Sequence, residues 1–196
     1  MPNRPVLDFW YEFASPYSFL SASRIEPLAE AAGVSLRWRP FLLGPIFAAQ
    51  GWSTSPFALY PSKGRYMWRD VERRAGRIGL PLVRPETFPQ NSLIAARLAL
   101  AGREAGWLPA FSKALFRAGF SEGRNIAEEA VLNAALKEAG ADPGTAYAAS
   151  RSEEVKGRLR AEIEYAKSLG IFGAPTFVTE DGEIFWGDDR LEEALD

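Results

Sequence analysis

Hydrophobic residues recur in different rhythms along the chain, and each rhythm predicts a different element. Val6–Tyr11 reads VLDFWY, a short apolar and aromatic run of the kind a buried strand carries. Ser15 and Pro16 then suit the N-cap and first position of a helix. Phe19, Leu20, Ile25 and Leu28 supply its buried face, and Gly33 ends it. Val34, Leu36 and Trp38 alternate with Ser35, Arg37 and Arg39, the period of two that a strand requires, as far as Pro40. The first forty residues therefore predict β-α-β.

The rhythm changes after Pro40. Residues 41–62 are rich in Gly, Pro, Ser and aromatics and predict a long ordered loop. Helical periodicity dominates next, over roughly 64–78, 91–105, 109–118 and 127–139, with breaks at Gly79, Pro81, Pro85, Pro89, Gly106, Gly123 and the GADP stretch at 140–143. Residues 152–169 set Val155, Leu159, Ile163 and Ala166 on one helical face that stops at Gly170. Two short strands, 176–179 and 183–186, flank Asp181-Gly182, a hairpin dipeptide, and a terminal helix is expected from near Asp189. This order fits an α/β chain with a thioredoxin-like frame at 1–41 and 150–196 and an all-helical insertion over about 42–149.

Composition narrows the chemistry more than the fold. The 196 residues are 47% hydrophobic and 24% charged, ordinary for a globular chain, and the net charge of −2 favours neither nucleic acid nor an anionic membrane as partner. No apolar stretch approaches the length of a bilayer span, and residues 1–6 lack the regions of a signal peptide, so a cytoplasmic address is the default expectation. The chain has no cysteine, which excludes a disulfide, a thiolate zinc site and dithiol exchange. It has no histidine, which excludes a Ser-His-Asp triad and removes the commonest general base. Catalysis is left to hydroxyls, carboxylates, Lys and Arg, or to a reactive group that a cofactor brings.

Five passages carry a family resemblance. FASPYS at 13–18 stands where thioredoxin-like proteins place Cys-x-x-Cys, and GIFGAPTFV at 170–178 resembles the cis-proline loop that faces that site. FRAGFSEGRNI at 116–126 resembles part of the DsbA-like helical insertion. With YPSKGRYMWRD at 60–70 and FWGDDRL at 185–191, the chain resembles the 2-hydroxychromene-2-carboxylate isomerase family, itself related to kappa-class glutathione transferases. The resemblance implies a DsbA-like fold, glutathione as cofactor, a small aromatic carboxylate as substrate and a homodimer.

It also implies roles, each beside a plainer reading. Ser15 matches the serine that meets the glutathione sulfur. The positive end of a helix favours a thiolate there, and a free thiol near pKa ~8.5 needs only a small shift to ionise at neutral pH. Ser15 is equally well formed as a simple N-cap, and the two roles are compatible. Ser18, at the second cysteine position, reads as structural. Pro175 is either a strand-initiating proline or the cis-proline that presents the Ala174 backbone to glutathione, with Phe172 in the same pocket. Asp189 with Glu192 forms a capping box, yet Asp188 and Asp189 also match residues that hold the γ-glutamyl end. Lys63 belongs either to a solvated, Arg-rich helix face or to the cleft, where it would hold the glycyl carboxylate or an acidic substrate. Relatives carry an asparagine near Ser53, which follows Trp52; the shorter serine alters the substrate contact there. Trp10, Phe41, Phe47, Trp52, Phe57 and Tyr60 are either core or the wall of an aromatic pocket.

The function this implies is glutathione-dependent isomerisation of 2-hydroxychromene-2-carboxylate, or a similar aromatic catabolite, to trans-o-hydroxybenzylidenepyruvate, with Ser15 activating the borrowed thiolate. The alternatives are a kappa-like glutathione transferase and a non-catalytic DsbA-like scaffold that binds thiols or peptides.

Overall fold

The computed structural model describes residues 4–196, so the leader reading of residues 1–6 falls partly outside the described residues. A four-stranded mixed sheet in the order β2-β1-β3-β4 organises the molecule. β1 (Val6–Tyr11) lies at its centre, parallel to β2 (Ser35–Pro40) and antiparallel to β3 (Thr176–Val178), which pairs with β4 (Ile184–Trp186). The α/β, DsbA-like thioredoxin architecture expected from the sequence is the one observed.

The continuous apolar run of β1 follows from burial on both faces. Leu7, Phe9 and Tyr11 join the main core, where Phe9 stacks between Tyr11 and Phe177 at 5.1 and 5.6 Å. Trp10 faces the opposite side, against Phe41 and Tyr165, so Trp10 and Phe41 are core rather than pocket wall. Asp8 shares that side and is neutralised by Arg37, with Arg39 at 3.7 Å. Arg39 in turn pairs with Glu162 at 3.2 Å and lies over Trp10.

α1 (Pro16–Ala32) ends at Gly33, whose φ of +70° is the left-handed cap that glycine adopts without a side-chain clash. α4 (Pro61–Arg77), α5 (Leu93–Ala101), α6 (Leu108–Phe120), α7 (Glu129–Glu138) and α9 (Glu153–Ser168) match the expected helical segments with shifted ends. Among the described residues no helix is long and apolar enough to cross a membrane.

Three expectations need correction. The supposed loop at 41–62 contains α2 (Gly44–Ala49) and α3 (Pro56–Leu59), and α4 begins at Pro61 rather than near residue 64. The GADP break at 140–143 is followed at once by α8 (Pro143–Ser150), capped by Asp142, which accepts the Thr145 N–H at 2.9 Å. In each case a proline taken as a breaker sits in the first turn, where its missing N–H costs nothing. The terminal helix is a single 3-10 turn, Asp188–Arg190, without the capping box. Glu192 is drawn to Arg24, and Asp188 is drawn inward.

Candidate active site

The β1–α1 connection and the 172–175 loop meet at one end of the sheet. Ser15 caps α1: its Oγ accepts the Ser18 N–H at 3.1 Å. The same hydroxyl donates to the Ala174 carbonyl oxygen at 2.9 Å, across the cis Ala174–Pro175 bond. Ser15 is thus an N-cap whose proton is turned towards the proline loop. Ser18 is fully buried and its Oγ accepts the Glu12 N–H at 3.5 Å, a structural position.

A cleft of about 910 Å³ opens beside Ser15 and gathers Lys63, Trp52, Ser53, Phe172, Ala174, Pro175, Asp188 and Asp189. Four segments build its walls. The 42–57 stretch brings Leu43, Phe47, Trp52 and Phe57, with Trp52 packed on Phe47 at 5.8 Å. The face of α4 brings Lys63, Tyr66, Asp70 and Arg74, and the segment into α5 brings Phe88 to Leu93. The hairpin end brings Phe172 and Trp186, half-exposed rings 4.7 Å apart. Gly173 permits that pairing, because a Cβ there would strike the Trp186 indole. Tyr60 is exposed outside the cleft, beneath the Lys63 ammonium at 4.9 Å.

The two aspartates divide the work. Asp188 is buried and its carboxylate is held by Ser21 at 2.9 Å, Arg24 at 3.0 Å and Arg74 at 3.3 Å. Arg74 also binds Asp70 at 2.8 Å, which accepts from the Tyr17 hydroxyl at 2.9 Å. Burial and Asp70 together push the Tyr17 phenol up, so it stays a donor. Asp188 thus knits α1, α4 and the C-terminal turn together. Asp189, about half exposed and no nearer than 4.0 Å to Arg190, is the carboxylate that presents itself to the cleft. Lys63 has no carboxylate within ion-pair distance among the described residues, so its charge also faces solvent and cleft.

Sequence reasoning missed Glu12. Its carboxyl is buried, lines the cleft, and accepts from the Ala14 N–H at 3.2 Å and from the Ser92 hydroxyl. Burial pushes its pKa up to about 7, against the lowering effect of those donors. The signal was present: a carboxylate interrupts an aromatic run three residues before Ser15.

The DSBA-like thioredoxin domain model matches residues 6–196. The chain belongs to that family. This DSBA-like protein is 29% identical over 188 residues to a 2-hydroxychromene-2-carboxylate isomerase of Sphingobium xenophagum, covering 95% of this chain and 94% of the relative. It is 28% identical to the glutathione S-transferase kappa 1 of Rattus norvegicus, over 97% and 89% of the two chains. A solved structure of a 2-hydroxychromene-2-carboxylate isomerase superposes with a TM-score of 0.84 at 28% identity, covering 95% of this chain and 90% of the other. By these relationships it is an isomerase-like member of the DSBA-like family.

Proposed function

We propose that this DSBA-like protein is a glutathione-dependent isomerase acting on 2-hydroxychromene-2-carboxylate or a similar aromatic-ring catabolite. The observation that carries the reading is Ser15: a capping hydroxyl at the positive end of α1, facing a cis-proline loop, in a chain without cysteine. Serine cannot exchange disulfides, but it can donate to a sulfur that something else supplies.

The residues present fit glutathione. The tripeptide has an ammonium, two carboxylates and an extended cysteine backbone. The cleft offers an exposed carboxylate at Asp189, a free-standing cation at Lys63 and the main chain of Ala174 beside Pro175, with Phe172 as an apolar neighbour. Asp188 acts one step back, by fixing the turn that carries Asp189. Bound glutathione supplies a sulfur nucleophile that adds to and leaves a conjugated carbon, the chemistry by which a double bond changes geometry. Ser15 holds the sulfur as thiolate, and the α1 N-terminus stabilises that charge. Trp52 and Phe47 receive the aromatic ring, with Ser53 and Lys63 near its polar end. A cytoplasmic homodimer is the assembly and address that fit this reading.

Calorimetric titration of glutathione into wild type and Ser15→Ala, with S-hexylglutathione alongside, tests it. Weaker binding or a higher bound-thiol pKa in Ser15→Ala, with turnover of the chromene carboxylate by wild type, supports the isomerase. The kappa transferase match at 28% identity favours a second reading, in which the thioether is the product. Conjugation of an electrophile without isomerisation would select it. Peptide binding without glutathione binding would leave a scaffold.

A further inference from the structure

The cleft contains four carboxyl groups, and three of them are accounted for. Asp188 is held by Ser21, Arg24 and Arg74, Asp70 by Arg74 and Tyr17, and Asp189 lies out at the rim by Arg190. Glu12 differs in kind. It is buried, its one open side is the cleft, and its hydrogen bonds come from uncharged donors, Ala14 N–H and Ser92 Oγ. Its own carbonyl accepts the Ser15 N–H at 2.9 Å, so carboxyl and capping hydroxyl are fixed to one tight turn.

The proposed substrate poses a proton problem. It is a cyclic hemiketal, and opening it moves a proton from the hemiketal hydroxyl to the ring oxygen as the ring C–O bond breaks. Without histidine or cysteine, the chain must move that proton with another group.

We propose that Glu12 is the acid–base group of this site, and that, given the isomerase reading on which this depends, it takes the hemiketal hydroxyl proton and returns it to the phenolate oxygen. The O–H pair becomes the second bond of the new ketone. The ring C–O pair goes to the phenolate, and Glu12 ends each cycle as it began. No oxidant or reductant is consumed. A buried carboxyl poised near neutrality performs both halves, since it neither holds nor refuses the proton at working pH.

The groups that set this titration are Ser92, just before α5, and the Phe13 and Ala14 amides of its own loop, with burial dominant. At the start of α1 the groups bound to Glu12 meet its backbone: the Ser15 N–H donates to its carbonyl and the Ser18 Oγ accepts its N–H, and neither side chain is charged. The charges sharing the cleft are Lys63, Asp70 and Arg74 from α4 and Asp188, Asp189 and Arg190 from the C-terminal turn.

The test measures kcat/KM against pH for wild type, Glu12→Gln and Ser92→Ala, with glutathione affinity and ultraviolet thiolate titration on each. Wild type should show a rising limb near neutrality that is separate from the thiol titration. Glu12→Gln should bind glutathione with roughly wild-type affinity yet lose on the order of a hundred-fold or more in kcat/KM, together with that limb. Ser92→Ala removes a donor to the carboxylate and should move the limb to higher pH. A folded Glu12→Gln enzyme within about threefold of wild type, or a limb unmoved in Ser92→Ala, overturns the assignment while leaving the isomerase standing. A wild type that binds glutathione and does not turn over the chromene carboxylate removes the isomerase reading, and the role of Glu12 with it.

Discussion

Glu12 surrenders its hydration on folding, where Ser92 meets its carboxyl, and Glu12→Gln removes the charge while leaving an amide oxygen to accept from Ala14 and Ser92. The size of the effect follows from the raised proton affinity. A carboxyl moved from its ordinary 4.5 to about 7 on folding disfavours the ionised native state by about 3 kcal/mol, at roughly 1.4 kcal/mol for each tenfold change. Because the folded pKa is the higher one, the native state binds more protons between pH 4.5 and about 7. The stabilising contribution of Glu12 is therefore whole below 4.5 and is lost as pH rises through about 7. Glu12→Gln should gain about 3 kcal/mol over wild type at pH ~8 and under about 1 at pH ~5. For a chain of this length that is about 6–12 °C in Tm at the alkaline end. Urea denaturation of both proteins across this pH range reads it directly. A stability difference that stays flat with pH would mean that Glu12 is ionised and solvated in the native state, and the reasoning about its burial would be wrong.

Ser15→Ala should cost about 1 kcal/mol of stability in denaturant titration, the worth of a serine N-cap, since it loses the bonds to Ser18 and Ala174; no loss would show the cap to be idle. Asp188→Asn should cost about 2–3 kcal/mol, less than a fully buried ion pair because Arg24 and Arg74 are partly exposed. In a double-mutant cycle Arg74→Met should cost less in the Asp188→Asn background than alone, and strict additivity would show the two to be uncoupled. Lys63→Ala should weaken glutathione or a carboxylate substrate by about tenfold, with reduced salt dependence, and an unchanged salt slope would place Lys63 outside the site.

The parts of the fold legible in the sequence were those decided by short-range periodicity: β1, α1, β2 and the hairpin at Asp181-Gly182. Ser15-Pro16 was legible for the same reason, because a cap and its first-turn proline are local. Pro45, Pro56, Pro61 and Pro143 were misread because the residue that breaks a helix interior is also the one that starts a helix, and only the following turn distinguishes the cases. The terminal capping box failed for a non-local reason. Glu192, the distal member of the expected Asp189–Glu192 box, had a partner in Arg24 on α1, over a hundred residues away in the chain, that outbid the local cap. Glu12 stood out locally only as a carboxylate interrupting an aromatic run; its burial was not legible because it depends on Ser92, eighty residues further along the chain, arriving beside it.

Ser15 has one hydroxyl proton, and in this structure Ala174 holds it. A sulfur placed over the α1 N-terminus must compete for that proton, and a ligand that brought only a sulfur would trade one hydrogen bond for another. A cysteine residue within a peptide brings more: its own backbone N–H can satisfy the Ala174 carbonyl oxygen as the hydroxyl turns away. On the proposed glutathione reading, a bare thiol would leave that carbonyl unsatisfied, whereas a peptide thiol would exchange one internal bond for two intermolecular ones. If that reading holds, the Ser15–Ala174 pair would favour a thiol with an adjacent amide, before the proposed contacts of Asp189 and Lys63 add anything at the ends of the ligand.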